Sequence, residues 1–257
     1  MPNAQALWRF LSNERITPAD LAERLRAVPL TESANGCDRS AVCVHDGSRI
    51  NYPPHTGKRD RVPMTHATDV GDALQSSLPL SDRDGLPWVA PVRNRVTAAG
   101  GWPSRAATIQ APLPPLDELT ERLEWLENQG LTKPLVPTVD READSVAPLR
   151  RGSQHDGPWW VRAKEGARVR DEGVDRKLRE VAAGLTFHRA QPVTCQGQRV
   201  QPWRASAEVV LARKAAPSGR DAGGKRLKPE AFEPCTSGGW SAASTTPQAA
   251  RWHTGIG

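Results

Sequence analysis

The sequence predicts a mixed α/β fold, and three observations support this class. Short valine-rich runs at residues 41–44 and 135–139 are typical of buried strands. Leucines spaced three and four residues apart in residues 116–129 predict an amphipathic helix that ends at Gly130. The predicted order is strand, strand, strand, helix, strand, helix, strand, and this alternation is typical of a mixed sheet flanked by helices.

Local signals predict the individual elements in the first two thirds of the chain. The sequence predicts a helix over residues 5–28 and a loop over residues 29–39. Within the predicted helix, Thr17, Pro18 and Asp20 form the pattern of a capped helix start. The remaining predicted elements are a strand at 41–44 that ends at Asp46, strands at 73–80 and 86–96 joined by a turn at 81–85, a loop at 100–115, the helix at 116–129, a strand at 135–139 that ends at Asp140, a short helix at 143–151 and a strand at 159–163.

The last third of the sequence changes character. Short apolar runs alternate with turn residues in 167–215, which predicts a small β-rich insertion, and 216–228 is a basic linker. Residues 234–257 contain no Asp, Glu, Leu or Val, and such a composition predicts disorder. The predicted organisation is an N-terminal helical segment (1–38), a core (39–166), the insertion (167–215) and a linker with a disordered tail (216–257).

Composition favours a polyanionic partner. The chain has 35 Lys and Arg against 29 Asp and Glu, a net charge of +6 and a pI of about 9.5. Its cysteines, Cys37, Cys43, Cys195 and Cys235, form no CxxC pair and predict reduced thiols rather than a disulfide or zinc site. No apolar stretch approaches the length of a transmembrane helix, so we expect a cytoplasmic protein without a membrane partner.

Two aspartates stand at the ends of predicted strands. If the strands ending at Asp46 and Asp140 are parallel neighbours, their carboxylates meet at one edge of the sheet, where ligands bind in open α/β folds. Paired carboxylates there can bind Mg²⁺ or Mn²⁺, which prefer oxygen ligands. The plainer alternative stays open: Asp46 caps a turn and Asp140 begins a helix.

Several runs resemble bacterial DDE transposases of the insertion-sequence-four type. Residues 44–52 (VHDGSRINY) resemble the first catalytic segment of that family, and residues 139–145 (VDREADS) resemble the second, of which Asp-Arg-Glu is a signature. Residues 6–13 are similar to the segment that joins the DNA-binding domain to the catalytic core, and residues 160–164 to the strand after the second aspartate. The resemblance covers roughly residues 5–228.

This resemblance implies an RNase H-like fold and cut-and-paste DNA transposition in the bacterial cytoplasm, at the nucleoid. Asp46 and Asp140 would be catalytic ligands of Mg²⁺ or Mn²⁺. The implied partners are transposon-end DNA and a second copy of the chain or a full-length transposase. Candidate phosphate contacts, for each of which a solvated surface charge is the alternative, are Lys58, Arg59, Arg61, Arg141, Arg162 and Lys164.

The resemblance also breaks in identifiable places. The third catalytic segment contains a Tyr-Arg-Glu-Lys pattern, but Tyr52 is the only tyrosine and belongs to the first segment. Glu230 and Glu233 lie between prolines and are poor substitutes for a helical ligand. Gly47 replaces a larger residue, and most of the DNA-end-binding domain is missing. We therefore expect an inactive, truncated or frameshifted transposase. The alternatives are a DNA-binding or dominant-negative regulator, and a nuclease that recruits another carboxylate.

Overall fold

The computed structural model describes residues 2–52, 54, 57–60, 62, 70–106, 108–140, 158–195, 197–210, 239–244 and 251–256. The chain forms two compact units, residues 1–135 and 136–257, so the division falls inside the predicted core of 39–166. Helices accompany strands of both orientations, which confirms the mixed α/β class. None of the helices in these residues is long and apolar enough to cross a bilayer.

The first unit begins with two helices where the sequence predicted one. Helix α1 spans Pro2–Leu11 and α2 spans Pro18–Asn35. Thr17 and Asp20 form the predicted capping box at the start of α2, with each side chain bonded to the backbone of the other residue. The prediction that the helix stops at 28 was wrong, because α2 continues through Pro29, which is buried, to Asn35.

Four antiparallel strands follow in the first unit. They are β1 (Ala41–Asn51), β2 (Gly71–Ser81), β3 (Val92–Thr97) and β4 (Gly100–Pro103), paired in the order β4-β3-β2-β1. β2 and the turn after it agree with the sequence, whereas β3 starts later than predicted and β4 replaces a predicted loop. β1 was predicted to end at Asp46 but continues to Asn51, because Gly47 and the residues after it stay paired with β2.

Helix α3 (Pro115–Glu127) and the first residue of β5 (Leu135–Val139) complete the first unit. The core beneath the sheet consists of Cys37, Ala41, Cys43, Val92, Leu126 and Leu135. Cys37 and Cys43 are buried and free, which confirms the predicted reduced thiols at these two positions. Burial raises the pKa of the Cys43 thiol to about 12, so this cysteine is a core residue rather than a nucleophile.

The second unit is richer in strands. Its elements are β6 (Trp159–Arg162), β7 (Arg168–Asp171), β8 (Val174–Lys177), α4 (Leu178–Ala183), β9 (His188–Arg189), β10 (Val193–Cys195), β11 (Gln198–Val200), β12 (Trp203–Glu208), β13 (Gly239–Ser244) and β14 (Arg251–Ile256). β5 pairs parallel with β6, β6 with β14, and the antiparallel order continues through β13 and β12 to β9. The hairpins β7-β8 and β10-β11 lie in the range predicted to be β-rich.

The C-terminal residues differ from their predicted disorder. Strands β13 and β14 pair with each other over Trp240–Ala243 and Arg251–Thr254. Strand pairing uses main-chain hydrogen bonds, which a segment poor in apolar side chains can still form. The expectation of a disordered tail therefore does not describe these two segments. The short helix predicted at 143–151 lies outside the described residues.

Candidate functional site

Asp46 lies in the middle of β1, on the open face of the first unit's sheet. Side chains along a strand alternate between the two faces, and here His45 is buried whereas Asp46 is exposed. The hydroxyl of Ser48, two residues further on the same face, donates a hydrogen bond of 2.6 Å to Asp46 Oδ2. The alternative in which Asp46 caps a turn is therefore wrong, because the residue is paired within a regular strand opposite Ser76.

The strand register assembles two rows of side chains on this open face. Residues directly opposite in antiparallel strands point to the same side of the sheet. Asp46 lies opposite Ser76, which lies opposite Arg93, and this is the first row. Neighbouring strands are about 4.8 Å apart, so the backbones of Asp46 and Arg93 are separated by about 10 Å. The carboxylate of Asp46 and the half-buried guanidinium of Arg93 therefore lie on the same side of the sheet.

The second row runs parallel to the first, two residues along each strand. Ser48 lies opposite Leu74, which lies opposite Arg95, which lies opposite Trp102 on β4. Trp102 is 48% exposed and therefore offers an open aromatic surface. No sequence motif marks these residues, but the alternation in Val92-Arg93-Asn94-Arg95 within a predicted strand was the signal that both arginines share one face of the sheet.

Arg95 is held in place by a buried carboxylate. The side chain of Asp72 is fully buried, and Arg95 Nε and Nη2 lie 2.8 and 2.7 Å from its Oδ2. Lys58, one of the predicted phosphate contacts, lies 3.2 Å from Asp72 Oδ1 and also donates to Asp60. The hydrogen bond to Asp60 is the main reason why the pKa of Lys58 is raised. Lys58 thus serves in an internal ion-pair cluster, and Arg95 presents a fixed guanidinium to the open face.

The opposite face of β1 and β2 covers a buried polar cluster. His45 Nδ1 lies 2.7 Å from Ser77 Oγ, while Nε2 has no hydrogen-bond partner among the described residues. Burial, with a further contribution from the Arg122 guanidinium, lowers the pKa of His45 to about 3. The ring is therefore neutral at physiological pH. On α3, Glu118 bridges Arg122 and Arg105, and all three side chains are buried or nearly so.

Asp140 follows β5 directly, as the sequence predicted, and lies in the second unit. The parallel pairs Thr138–Trp160 and Val139–Val161 place the next residues, Asp140 and Arg162, side by side. Asp140 is exposed, Arg162 is half-buried and Trp160 is 45% exposed. The second unit therefore also places a carboxylate beside an arginine, with an exposed tryptophan nearby. The alternative in which Asp140 begins a helix concerns residues 141–151, which lie outside the described residues.

The remaining predicted DNA contacts are exposed or lie outside the described residues. Arg59 and Lys164 are exposed, and Lys164 follows β6 by two residues. Arg61 and Arg141 lie outside the described residues, as do Glu230 and Glu233. The convergence of Asp46 and Asp140 stays a prediction, because the two residues belong to separate units.

The described side chains do not form a complete metal centre. Within this part of the chain there is no group of three or more His, Cys, Asp or Glu side chains that could hold a metal ion. Asp46 and Asp140 each provide the oxygen ligands that Mg²⁺ and Mn²⁺ prefer. Two-metal strand cleavage requires a larger carboxylate set than either position offers alone. Comparison with models of known protein families and with curated proteins gave no match.

Proposed function

We propose that this chain is a DNA-binding protein of the DDE transposase type, in which Asp46 and Asp140 bind a divalent ion. Without the third carboxylate of that family, it does not cleave DNA. The observation that carries the proposal is the row on the open sheet face that joins Asp46 through Ser76 to Arg93. A carboxylate beside arginines can hold a metal ion against one phosphate while the guanidiniums bind its neighbours.

The order of elements supports the same proposal. Three antiparallel strands, β1 to β3, precede helix α3, and β5 then pairs parallel with β6. This order agrees with an RNase H-like core, and the Asp-Arg-Glu run begins directly after β5.

Binding without cleavage has a biological consequence. A chain that occupies transposon ends, or pairs with an active transposase, competes with productive transposition. The missing Tyr-Arg-Glu-Lys segment favours this regulatory role, because the sequence has no second tyrosine around which the third catalytic segment could be placed. An inactive transposase and a regulator of transposition would both bind DNA with the help of a metal ion, so one binding experiment tests both.

The test compares the wild-type chain with Asp46→Asn for binding to a labelled DNA duplex of mixed sequence, with EDTA or with Mg²⁺. In EDTA, we expect the Asp46→Asn variant to bind more tightly, because it removes a negative charge that repels phosphate. In Mg²⁺, we expect the wild-type chain to gain more affinity, because only it keeps the carboxylate that binds the ion. A reversal of rank between the two conditions is the expected result.

Glu14→Gln is the matched control, since it removes the same charge from an exposed residue of the same unit that lies between α1 and α2 rather than on the sheet. Its affinity should change little in either condition. If Asp46→Asn behaves like Glu14→Gln, or if the wild-type chain binds no duplex at low salt, the proposal is wrong. Nicking of a supercoiled plasmid with Mg²⁺ or Mn²⁺, lost in Asp46→Ala and Asp140→Ala, would instead identify an active nuclease.

A further inference from the structure

A groove crosses the first unit between α2 and the open face of the sheet. Its volume is about 600 Å³, within the range of small-ligand sites. One wall is apolar and comes from α2, which contributes Leu21 and Leu25. The other wall is the sheet, which contributes Leu74, Arg95 and Trp102 from the second row and Arg93 from the first row.

The two arginines make this groove unlike an ordinary apolar cleft. Arg95 is fixed by Asp72 and is itself 46% exposed on its side chain. Arg93 is half-buried, and its guanidinium has no ion pair or hydrogen bond among the described residues. A half-buried guanidinium without a partner favours an anionic occupant, since pairing recovers part of its desolvation cost.

Trp102 adds a second requirement for the occupant. With nearly half of its surface exposed beside Arg95, the indole can accept a flat, uncharged ring by stacking. An unpaired nucleotide combines such a ring with an anionic phosphate. The ring of a paired base inside a duplex is covered by its neighbours and is not available for stacking on a side chain.

We propose that this groove binds single-stranded DNA, with an unpaired base stacked on Trp102 and phosphates bound by Arg93 and Arg95. The two arginines lie two residues apart on β3, which separates their backbones by about 7 Å. This spacing is comparable with that of successive phosphates along an extended single strand. The inference rests on the proposed function and deepens it, because Asp46 lies on the same sheet face as Arg93 and the strand would pass beside it.

The experiment measures the affinity of the whole chain for labelled oligo-dT and for a duplex of equal charge, by fluorescence anisotropy over a salt series. Trp102→Ala should weaken oligo-dT binding by roughly 5- to 150-fold, the range for loss of one stacked base. The dependence of oligo-dT affinity on salt concentration should be the same for Trp102→Ala as for the wild-type chain. Trp102→Phe should recover most of the affinity because it keeps an aromatic ring. Arg93→Gln should weaken binding and reduce the salt slope by about 0.7, the value for one single-strand phosphate.

Trp8→Ala is the control, because Trp8 on α1 is 67% exposed and lies outside the groove. It should leave oligo-dT binding unchanged. The proposal is overturned if Trp102→Ala binds oligo-dT within twofold of the wild-type chain, if it weakens duplex binding equally, or if oligo-U binds more tightly than oligo-dT. These results leave the proposed function standing as long as the duplex still shows the Asp46-dependent response to Mg²⁺.

Discussion

Removing the charge of Glu118 is expected to destabilise the first unit strongly. Glu118 is 1% exposed, and its two oxygens lie 2.6 Å from Arg105 Nη1 and 2.7 Å from Arg122 Nε. Burial raises the pKa of Glu118 and lowers that of Arg122, because each charged side chain loses hydration in the folded protein. Glu118→Gln removes the carboxylate that Arg122, 3% exposed, is paired with, and leaves Arg105, 9% exposed, with the half-exposed Glu121 as its carboxylate.

Breaking a buried ion pair on one side commonly costs about 3–5 kcal/mol, because the remaining charge is left without compensation. Glu121 provides a matched control on the same helix. It lies 2.8 Å from Nη2 of the same Arg105 but is 50% exposed, so Glu121→Gln should cost at most about 1 kcal/mol. The same chemical change at two positions three residues apart thus separates burial from charge.

The assay is urea unfolding followed by far-UV circular dichroism, because α1, α2 and α3 of the first unit contain most of the helical residues that the structure describes. A double variant, Glu118→Gln with Arg122→Met, should recover part of the lost free energy of unfolding, because it also removes the buried guanidinium that Glu118→Gln leaves without its carboxylate. The reasoning is refuted if Glu118→Gln costs no more than Glu121→Gln, or if the double variant is less stable than the sum of its single changes.

Two further predictions concern the same unit. Burial lowers the pKa of His45 in the folded state to about 3, so between about pH 6.5 and that value only the unfolded state binds the extra proton. The free energy of unfolding should therefore fall by about 1.4 kcal/mol for each pH unit below about 6.5. His45→Gln should reduce this dependence of the free energy of unfolding on pH, and an unchanged dependence between pH 6 and 4 contradicts the prediction. Gly100 has φ +139°, and a Cβ there would lie 2.6 Å from Ile109 Cγ2, whereas nothing lies within 4 Å of a Cβ at Gly57 in the same unit. Gly100→Ala should therefore cost more than about 1 kcal/mol in urea unfolding, and Gly57→Ala should cost less.

Local signals predicted the regular elements well. The capping box of Thr17 and Asp20, the leucine spacing of α3 and the valine-rich β5 each depend on neighbours in the sequence, and each was confirmed. The end of β1 was misplaced because Gly47 and Ser48 are typical turn residues. Eleven paired positions with β2 keep them in the strand, and this long-range pairing could not be read from the local sequence.

The candidate site was only half visible in the sequence. Asp46 and Asp140 stood out as strand-associated aspartates in recognisable motifs. Arg93, Arg95 and Trp102 did not, since their importance comes from the register of β2, β3 and β4 rather than from spacing along the chain. Lys58 illustrates the reverse case: it belonged to a basic cluster in the sequence, yet Asp60 and Asp72 bind its ammonium group.

The central claim is that Asp46 and Asp140 bind the same divalent ion, and iron-directed cleavage of the polypeptide tests it most directly. Fe²⁺ bound in place of Mg²⁺ produces hydroxyl radicals with ascorbate and peroxide, which cut the backbone near the ion. We expect cuts near both residues, suppressed by excess Mg²⁺ and lost together in either Asp46→Asn or Asp140→Asn. Cuts near one aspartate alone, or cuts near Asp140 that persist in Asp46→Asn, would show that the two carboxylates do not share a site.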